Sequence, residues 1–175
     1  MKGRCDMNKK VNVFDYAKEI CTALPKGILL TSKAGDRVNS MTIGWGALGT
    51  DWNKPVFTAY VRESRFTREL LDKNPEFTVN IPLDECDRKI LGVCGSKSGR
   101  NTNKIAECGL TLVPSDIVSV PGIKELPLTL ECKIVCRQKQ EPALIAEHYR
   151  SMFYPSPEDA HILYYGEIVN AYIAE

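Results

Sequence analysis

The chain has almost no net charge to offer a partner. Lys and Arg number 23 and Asp and Glu 22, a near-cancellation that argues against a generally basic nucleic-acid binder or a protein held to anionic membranes. The opening residues, MKGRCDMNKKVNVF, lack the apolar core of a secretory signal, and no stretch approaches the ~18 apolar residues of a membrane span. These absences predict a cytoplasmic protein with no membrane partner. Histidine occurs only as His148 and His161, without GxSxG or HExxH, so neither a hydrolase elbow nor a zinc-protease helix is present. No GxGxxG opens a helix after a strand, which excludes a Rossmann site for a dinucleotide. The seven cysteines are odd in number and form no disulfide framework, as expected of thiols in a reducing compartment. Cys5, Cys21, Cys86 and Cys108 have no His or Cys at ligand spacing, and no metal site is expected. Cys132 and Cys136 follow strand alternation on one inner face, about 13 Å apart at ~3.3 Å per residue, as packing thiols.

What is present is ordinary globular composition, 43% hydrophobic and 26% charged, in 175 residues that predict one domain over 1–175. Strand signals dominate. They stand at 27–32, 38–46, 56–61, 77–82, 110–114, 126–138 and 162–174. Ala34-Gly35-Asp36 predicts a tight hairpin between the first two. Helices are expected at 12–23, 64–73, 84–91, 101–108 and 142–150, with Asn74-Pro75 ending the second and Asp84 and Asp87 in the first turn of the third. Strands that mostly lack a crossover helix between them predict a mainly β fold, an antiparallel β-barrel with short peripheral helices.

The densest chemistry lies in residues 39–67, NSMTIGWGALGTDWNKPVFTAYVRESRFT. A strand of small residues passes Gly44, Gly46 and Gly49 into a Trp-Asn-Lys-Pro corner, and a second apolar strand then ends in Arg62, Ser64, Arg65 and Thr67. The glycines remove side chains where a ligand or another backbone comes close. Ser64 is placed to cap the helix RFTRELLDKN, and a capped N-terminus with free amides and nearby arginines suits a phosphate dianion. The same residues also describe an ordinary hairpin and surface helix, with Arg62 paired to Glu63 or Glu69. A second loop, CGSKSGRNTNK, holds Cys94, Gly95, Ser98, Gly99, Arg100 and Lys104, and five basic residues stand between Arg88 and Lys104 without an acidic one. Its two glycines permit a backbone nest, with Ser98, Arg100 and Lys104 in reach of an anion. Cys94 is either a low-pKa thiol there or a packing residue. His148 falls on a surface helix, and His161, opening the last strand, is the one candidate for a catalytic role beside a structural one.

The runs NSMTIGWG, KPVFTAYVRESRFT, FTVNIP and CGSKSGRNTNK stand in the order and rough spacing of the flavin reductase-like family, which the chain resembles from about Pro25 to YYGEIVNAYI. The resemblance implies an FMN-binding split barrel of flavoredoxin type. It implies that Asn39, Ser40, Met41 and Thr42 edge the isoalloxazine ring, with backbone amides and the Thr42 hydroxyl on its pyrimidine side. Arg62, Ser64 and Thr67 are then expected to take the phosphate and Asn80 to meet the ring or ribityl chain, while the loop carrying Cys94, Gly95, Ser98, Gly99, Arg100 and Lys104 covers the cofactor. The implied function is an FMN oxidoreductase that moves electrons from NADH or NADPH to free flavin, a ferric complex or a redox protein, as a homodimer. A flavin is its own electron sink, so no catalytic side chain is required. Two alternatives stand beside this: a non-enzymatic FMN carrier of flavoredoxin type, and a split barrel for haem or a pyridoxal-type phosphate, which the SGR run disfavours.

Overall fold

The computed structural model describes residues 8–175, so Cys5 lies outside the described residues. Ten strands form among the described residues: Asn8–Lys10 (β1), Ile28–Ala34 (β2), Arg37–Ile43 (β3), Gly46–Asp51 (β4), Lys54–Arg62 (β5), Glu76–Ile81 (β6), Leu112–Val113 (β7), Gly122–Ile123 (β8), Leu128–Lys139 (β9) and His161–Ala174 (β10). Eight of them make one antiparallel sheet in the order β3-β2-β6-β9-β10-β5-β4, with β1 added to the far part of β10; β7 and β8 pair separately. The architecture is mainly β, a large antiparallel sheet with short helices around it, as expected. The helices are short and peripheral: Ala17–Ala23 (α1), Phe66–Lys73 (α2), Arg88–Ser96 (α3), Lys104–Glu107 (α4) and Glu147–Phe153 (α5).

The interior follows from strand alternation. Leu30, Phe57, Phe77, Val79, Leu128, Leu130 and Tyr164 are essentially inaccessible and fill the barrel. Each such side chain contributes ~1.5–3 kcal/mol of burial, whereas the ion pairs all lie on partly exposed side chains and are worth at most about 1 kcal/mol each. The core therefore carries the stability. A second apolar cluster of Leu29, Ile90, Cys94, Leu110, Ile123 and Leu126 joins α3 to the other side of β2.

The long strands β9 and β10 bend the sheet. Their register slips between Tyr165 and Gly166 and again between Ile168 and Asn170, which are the irregularities that let a sheet curl. At the first slip, a Cβ on Gly166 would run into the Phe77 ring and stand 2.9 Å from the Cys132 Cβ, so only glycine lets β10 close over the core there. The same slip explains Cys136. Cys132 is fully buried as expected, but Cys136 lies beyond the irregularity and is only half-buried.

Several sequence expectations shift. The strand expected over 38–46 stops at Ile43, and the glycine-bearing stretch after it forms the additional strand β4. Its hairpin to β5 turns at Trp52 and Asn53, both with positive φ (49° and 57°), the two-residue turn whose twist matches paired strands. Ser64 does not cap α2: the cap position is Arg65, without a side-chain bond, and Ser64 instead donates its backbone N–H to Asp159 Oδ1 at 2.9 Å. The third helix starts at Arg88, after the 84–87 segment, with Asp87 as its cap accepting from the Lys89 amide at 2.8 Å.

Candidate functional site

β3 ends the sheet, so half of its backbone N–H and C=O groups have no strand partner and face α3, α4 and the start of α2 instead. Two clefts open along this edge. The first, of about 230 Å³, is walled by Asn39 and Met41 of β3, by Ser64, Phe66 and Thr67 at the start of α2, and by Cys94, Gly95, Ser98, Gly99, Arg100 and Lys104. The second, of about 200 Å³, runs from Thr42 past Trp45 and Tyr60 to Arg62 and His161. Met41 and Arg65 belong to both, which makes the two one continuous trough.

The first cleft is set up for an anion. Lys104 is 3% exposed and donates to the Cys94 carbonyl at 3.1 Å, with no carboxylate within ion-pairing distance among the described residues. Burial holds its pKa below the usual lysine range, with Arg65 pushing the same way. The amides of Phe66 and Thr67, at the N-terminus of α2, find no acceptor among the described residues. Asn39 donates Nδ2 to Thr67 Oγ1 at 3.0 Å, yet its buried Oδ1 is unpartnered. The covering loop is fixed tightly. A Cβ on Gly99 would run into Asn39 and come within 2.8 Å of Phe66, and Arg37 donates to the Gly99 and Arg100 carbonyls while lying 4.5 Å over the Phe66 ring.

The second cleft is aromatic and basic. His161 Nδ1 lies 2.8 Å from Tyr154 Oη, and that hydroxyl is 2.6 Å from Gln140 Oε1. Gln140 Oε1 only accepts, so Tyr154 donates to it and accepts from His161 Nδ1–H. The second ring nitrogen, Nε2, is left as an unprotonated acceptor. Burial, reinforced by Arg62 and opposed by Asp159, brings the His161 pKa down to about 4, so the ring is neutral at pH 7. Trp45 packs on it at 5.0 Å and Tyr60 at 6.2 Å.

Ten of the fourteen expected binding residues meet in the first cleft, and Thr42 and Arg62 line the second; the chemistry of several is not as expected. Arg62 donates to the carbonyls of Phe153 and Asp159, both at 2.8 Å, and lies over Tyr154, so it ties down the 153–160 segment. It pairs with neither Glu63 nor Glu69. Glu69 is taken by Arg100, which also donates to the Ser64 carbonyl at 3.2 Å, and Glu63 by Lys139. Arg65, which lines both clefts, has no side-chain partner among the described residues. The Thr42 hydroxyl donates to the Leu91 carbonyl at 2.7 Å. Ser40 and Asn80 face away from both clefts. Ser40 Oγ is 2.7 Å from Thr31 Oγ1, and Asn80 donates to Thr31 Oγ1 at 3.0 Å while accepting from the Ile123 amide at 2.9 Å, all fully buried. Cys94 is no activated thiol: burial and its neighbour Cys108 push it up to about 12. Trp45 and Tyr60 were not assigned to the site from sequence; Arg65 stood among the anion donors that follow the strand but not among the residues expected to take the phosphate.

A family model described as flavin reductase like domain matches residues 22–175, and the chain belongs to that family. An uncharacterized protein of Archaeoglobus fulgidus is 34% identical over 125 residues, covering 71% of this chain and 66% of that protein. The chain spans at most about two thirds of the curated relatives it matches, 59 to 66%. Among solved structures, an FMN-binding domain of a flavin reductases-like enzyme from Shewanella baltica superposes with a TM-score of 0.68 at 18% identity, covering 95% of this chain and 77% of that one. A flavoredoxin from Methanosarcina acetivorans gives 0.63 at 26% identity, covering 85% and 68%.

Proposed function

We propose that this chain binds FMN along the free edge of β3 and is an oxidoreductase carrying electrons from NADH or NADPH through the flavin to a small acceptor. The carrying observation is Lys104. A buried ammonium without a carboxylate is costly unless a ligand brings the negative charge. A phosphomonoester fits the donor set: Lys104, the open amides of Phe66 and Thr67, and the hydroxyls of Thr67 and Ser98 converge on one cleft, with Arg65 at its mouth. The backbone of Asn39 to Thr42 offers alternating donors and acceptors to a flat polar ring, and Met41 supplies apolar cover between the two clefts. Bound flavin supplies the hydride and single-electron chemistry. The protein holds the phosphate, presents the ring edge to fixed amides, and keeps His161 neutral beside it. The first cleft takes the phosphate end, and the ring lies along β3 toward the second cleft, which stays open for a small acceptor. One domain over 1–175, a cytoplasmic location and a homodimer complete the reading; no helix among the described residues is long and apolar enough to cross a membrane.

A flavoredoxin-like carrier is the second reading, favoured by the likeness to the Methanosarcina protein. Titration of apo-protein with FMN, FAD and riboflavin, followed by anaerobic NADH and NADPH, tests both. FMN binds tighter than FAD, and Lys104→Met weakens FMN about ten- to a hundredfold while riboflavin changes little, because a hydrogen bond to a charged group is worth ~1.5–3 kcal/mol. Rapid bleaching by a pyridine nucleotide identifies the reductase; tight FMN without bleaching identifies the carrier. Failure to bind FMN sinks both.

A further inference from the structure

The second cleft has features that the flavin phosphate site does not use. It is small, about 200 Å³, and none of its lining residues is acidic. Two guanidinium groups face it. Arg62 is tied to two carbonyls, but Arg65 is exposed and has no partner among the described residues. Two flat aromatic walls flank it. The Trp45 indole is 40% exposed, packed edge-on against Phe153 at 5.2 Å and tilted on His161 at 5.0 Å, so a large apolar ring is held out of the core in a fixed pose. His161 is 6% exposed, and its Nδ1 is committed to Tyr154. Its Nε2 has no partner among the described residues, and in the neutral ring it only accepts.

A ligand that satisfies this set carries a carboxylate for Arg65, a ring for Trp45 and Tyr60, and a hydroxyl or N–H for His161 Nε2. We propose that this cleft, the end of the trough away from the phosphate, is a binding site for a small hydroxy- or amino-substituted aromatic carboxylate, lying beside the flavin ring. A carboxylate matches the planar fork of one guanidinium, and the aromatic walls reward a flat ring over an aliphatic chain. The volume admits a single substituted ring. As companion of a flavin the site rests on the reading above, but as a binding site it is testable without one.

Trp45 reports the site directly. Trp52, the other tryptophan, lies by Tyr165 in the β4–β5 hairpin, so Trp52→Phe leaves Trp45 as sole fluorophore. In that background, at low ionic strength, 4-hydroxybenzoate quenches Trp45 saturably and binds several-fold tighter than benzoate. Arg65→Gln, on an exposed side chain whose loss does not threaten the fold, weakens 4-hydroxybenzoate about tenfold or more and leaves neutral 4-hydroxybenzamide unchanged. Absence of saturation by about 10 mM overturns the proposal. So does an equal loss for the carboxylate and the amide. The same titration in FMN-loaded protein, followed by flavin absorbance, separates the two ideas: no FMN binding with intact Trp45 quenching sinks the flavin reading alone, and FMN binding without quenching sinks this one alone.

Discussion

Two arginines three positions apart show how residue type underdetermines role. Arg62 has the better place in the sequence, at the end of a strand, yet its fork closes on the Phe153 and Asp159 carbonyls, whereas Arg65 keeps its charge open on both clefts. Part of Arg62's effect is electrostatic, since it helps burial keep His161 neutral. That has a measurable sign. The folded pKa is about 4 against ~6.5 in the unfolded chain, so at pH 7 the folded ring is neutral, the unfolded one mostly so, and nearly the full stability is present. As pH falls from about 6.5 to about 4, only the unfolded chain takes up the proton, and stability is lost. Discounted for a ring that opens on a cleft, the loss is on the order of 2 kcal/mol. Urea unfolding of wild type and His161→Phe at pH 7 and pH 4.5 measures it: the variant loses less between the two by about that amount, because the carboxylates common to both cancel. Equal losses would mean that His161 titrates normally.

At the scale of elements, the polar residues of the sheet divide into those that build it and those left open. Glu131, in the middle of β9, is fully buried and accepts from the backbone amides of Asp116, Ile117 and Val118 at 3.0, 2.7 and 2.8 Å and from Asn170 Nδ2 at 2.8 Å. One carboxylate thus pins the 115–121 segment to the strand pair β9–β10. Glu131→Gln keeps the shape but sets an NH₂ against groups that donate, so at least two bonds to a charged acceptor are lost. The expected cost is about 2–4 kcal/mol, a melting temperature lower by roughly 5–15 °C, and faster amide exchange at 116–118; calorimetry with exchange mass spectrometry reads both. Nothing in LTLECKIV foretold this, because the amides that Glu131 serves lie thirteen to fifteen residues back. The same limit governs the rest of the chain. FTVNIP and ILYYGEIVNAYIA were legible because alternation and β-branching are local, and they fold within a residue of the expected bounds. β4 was not, since GALGTD is exposed for most of its length and has no buried face to leave a pattern. Ser64 failed as a cap because the helix starts at Phe66, which puts Arg65 at the cap position, while Asp159, 95 residues away, holds the Ser64 amide. Asn80 sits on a strand as read, but period two cannot tell the barrel interior from a ligand face, and Thr31 and Ile123 claim it for the interior.

For the whole molecule, the unsettled surface lies next to the site. β4 is the other open end of the sheet, and large apolar side chains stand exposed nearby and along the 144–152 segment: Trp45 at 40%, Trp52 at 57%, Leu144 at 86%, Tyr149 at 55% and Met152 at 66%. Single exposed apolar residues are common, but a free strand edge beside several of them invites pairing with another chain. Trp45 packs on Phe153 at the end of α5, so this surface continues into the wall of the second cleft, and a partner that covers it also closes the trough. The partner expected is a second copy, because a self-complementary patch closes on itself with twofold symmetry, the commonest arrangement of soluble oligomers. Light scattering at micromolar concentration should then give twice the 19.6 kDa chain mass, and Tyr149→Glu with Met152→Glu should move it toward 19.6 kDa while circular dichroism stays native. If closing the trough is what the pairing does, the same double variant binds FMN more weakly in proportion to the monomer present, and raising the protein concentration restores it. A wild-type mass of 19.6 kDa with FMN still bound would show that each chain completes its site alone.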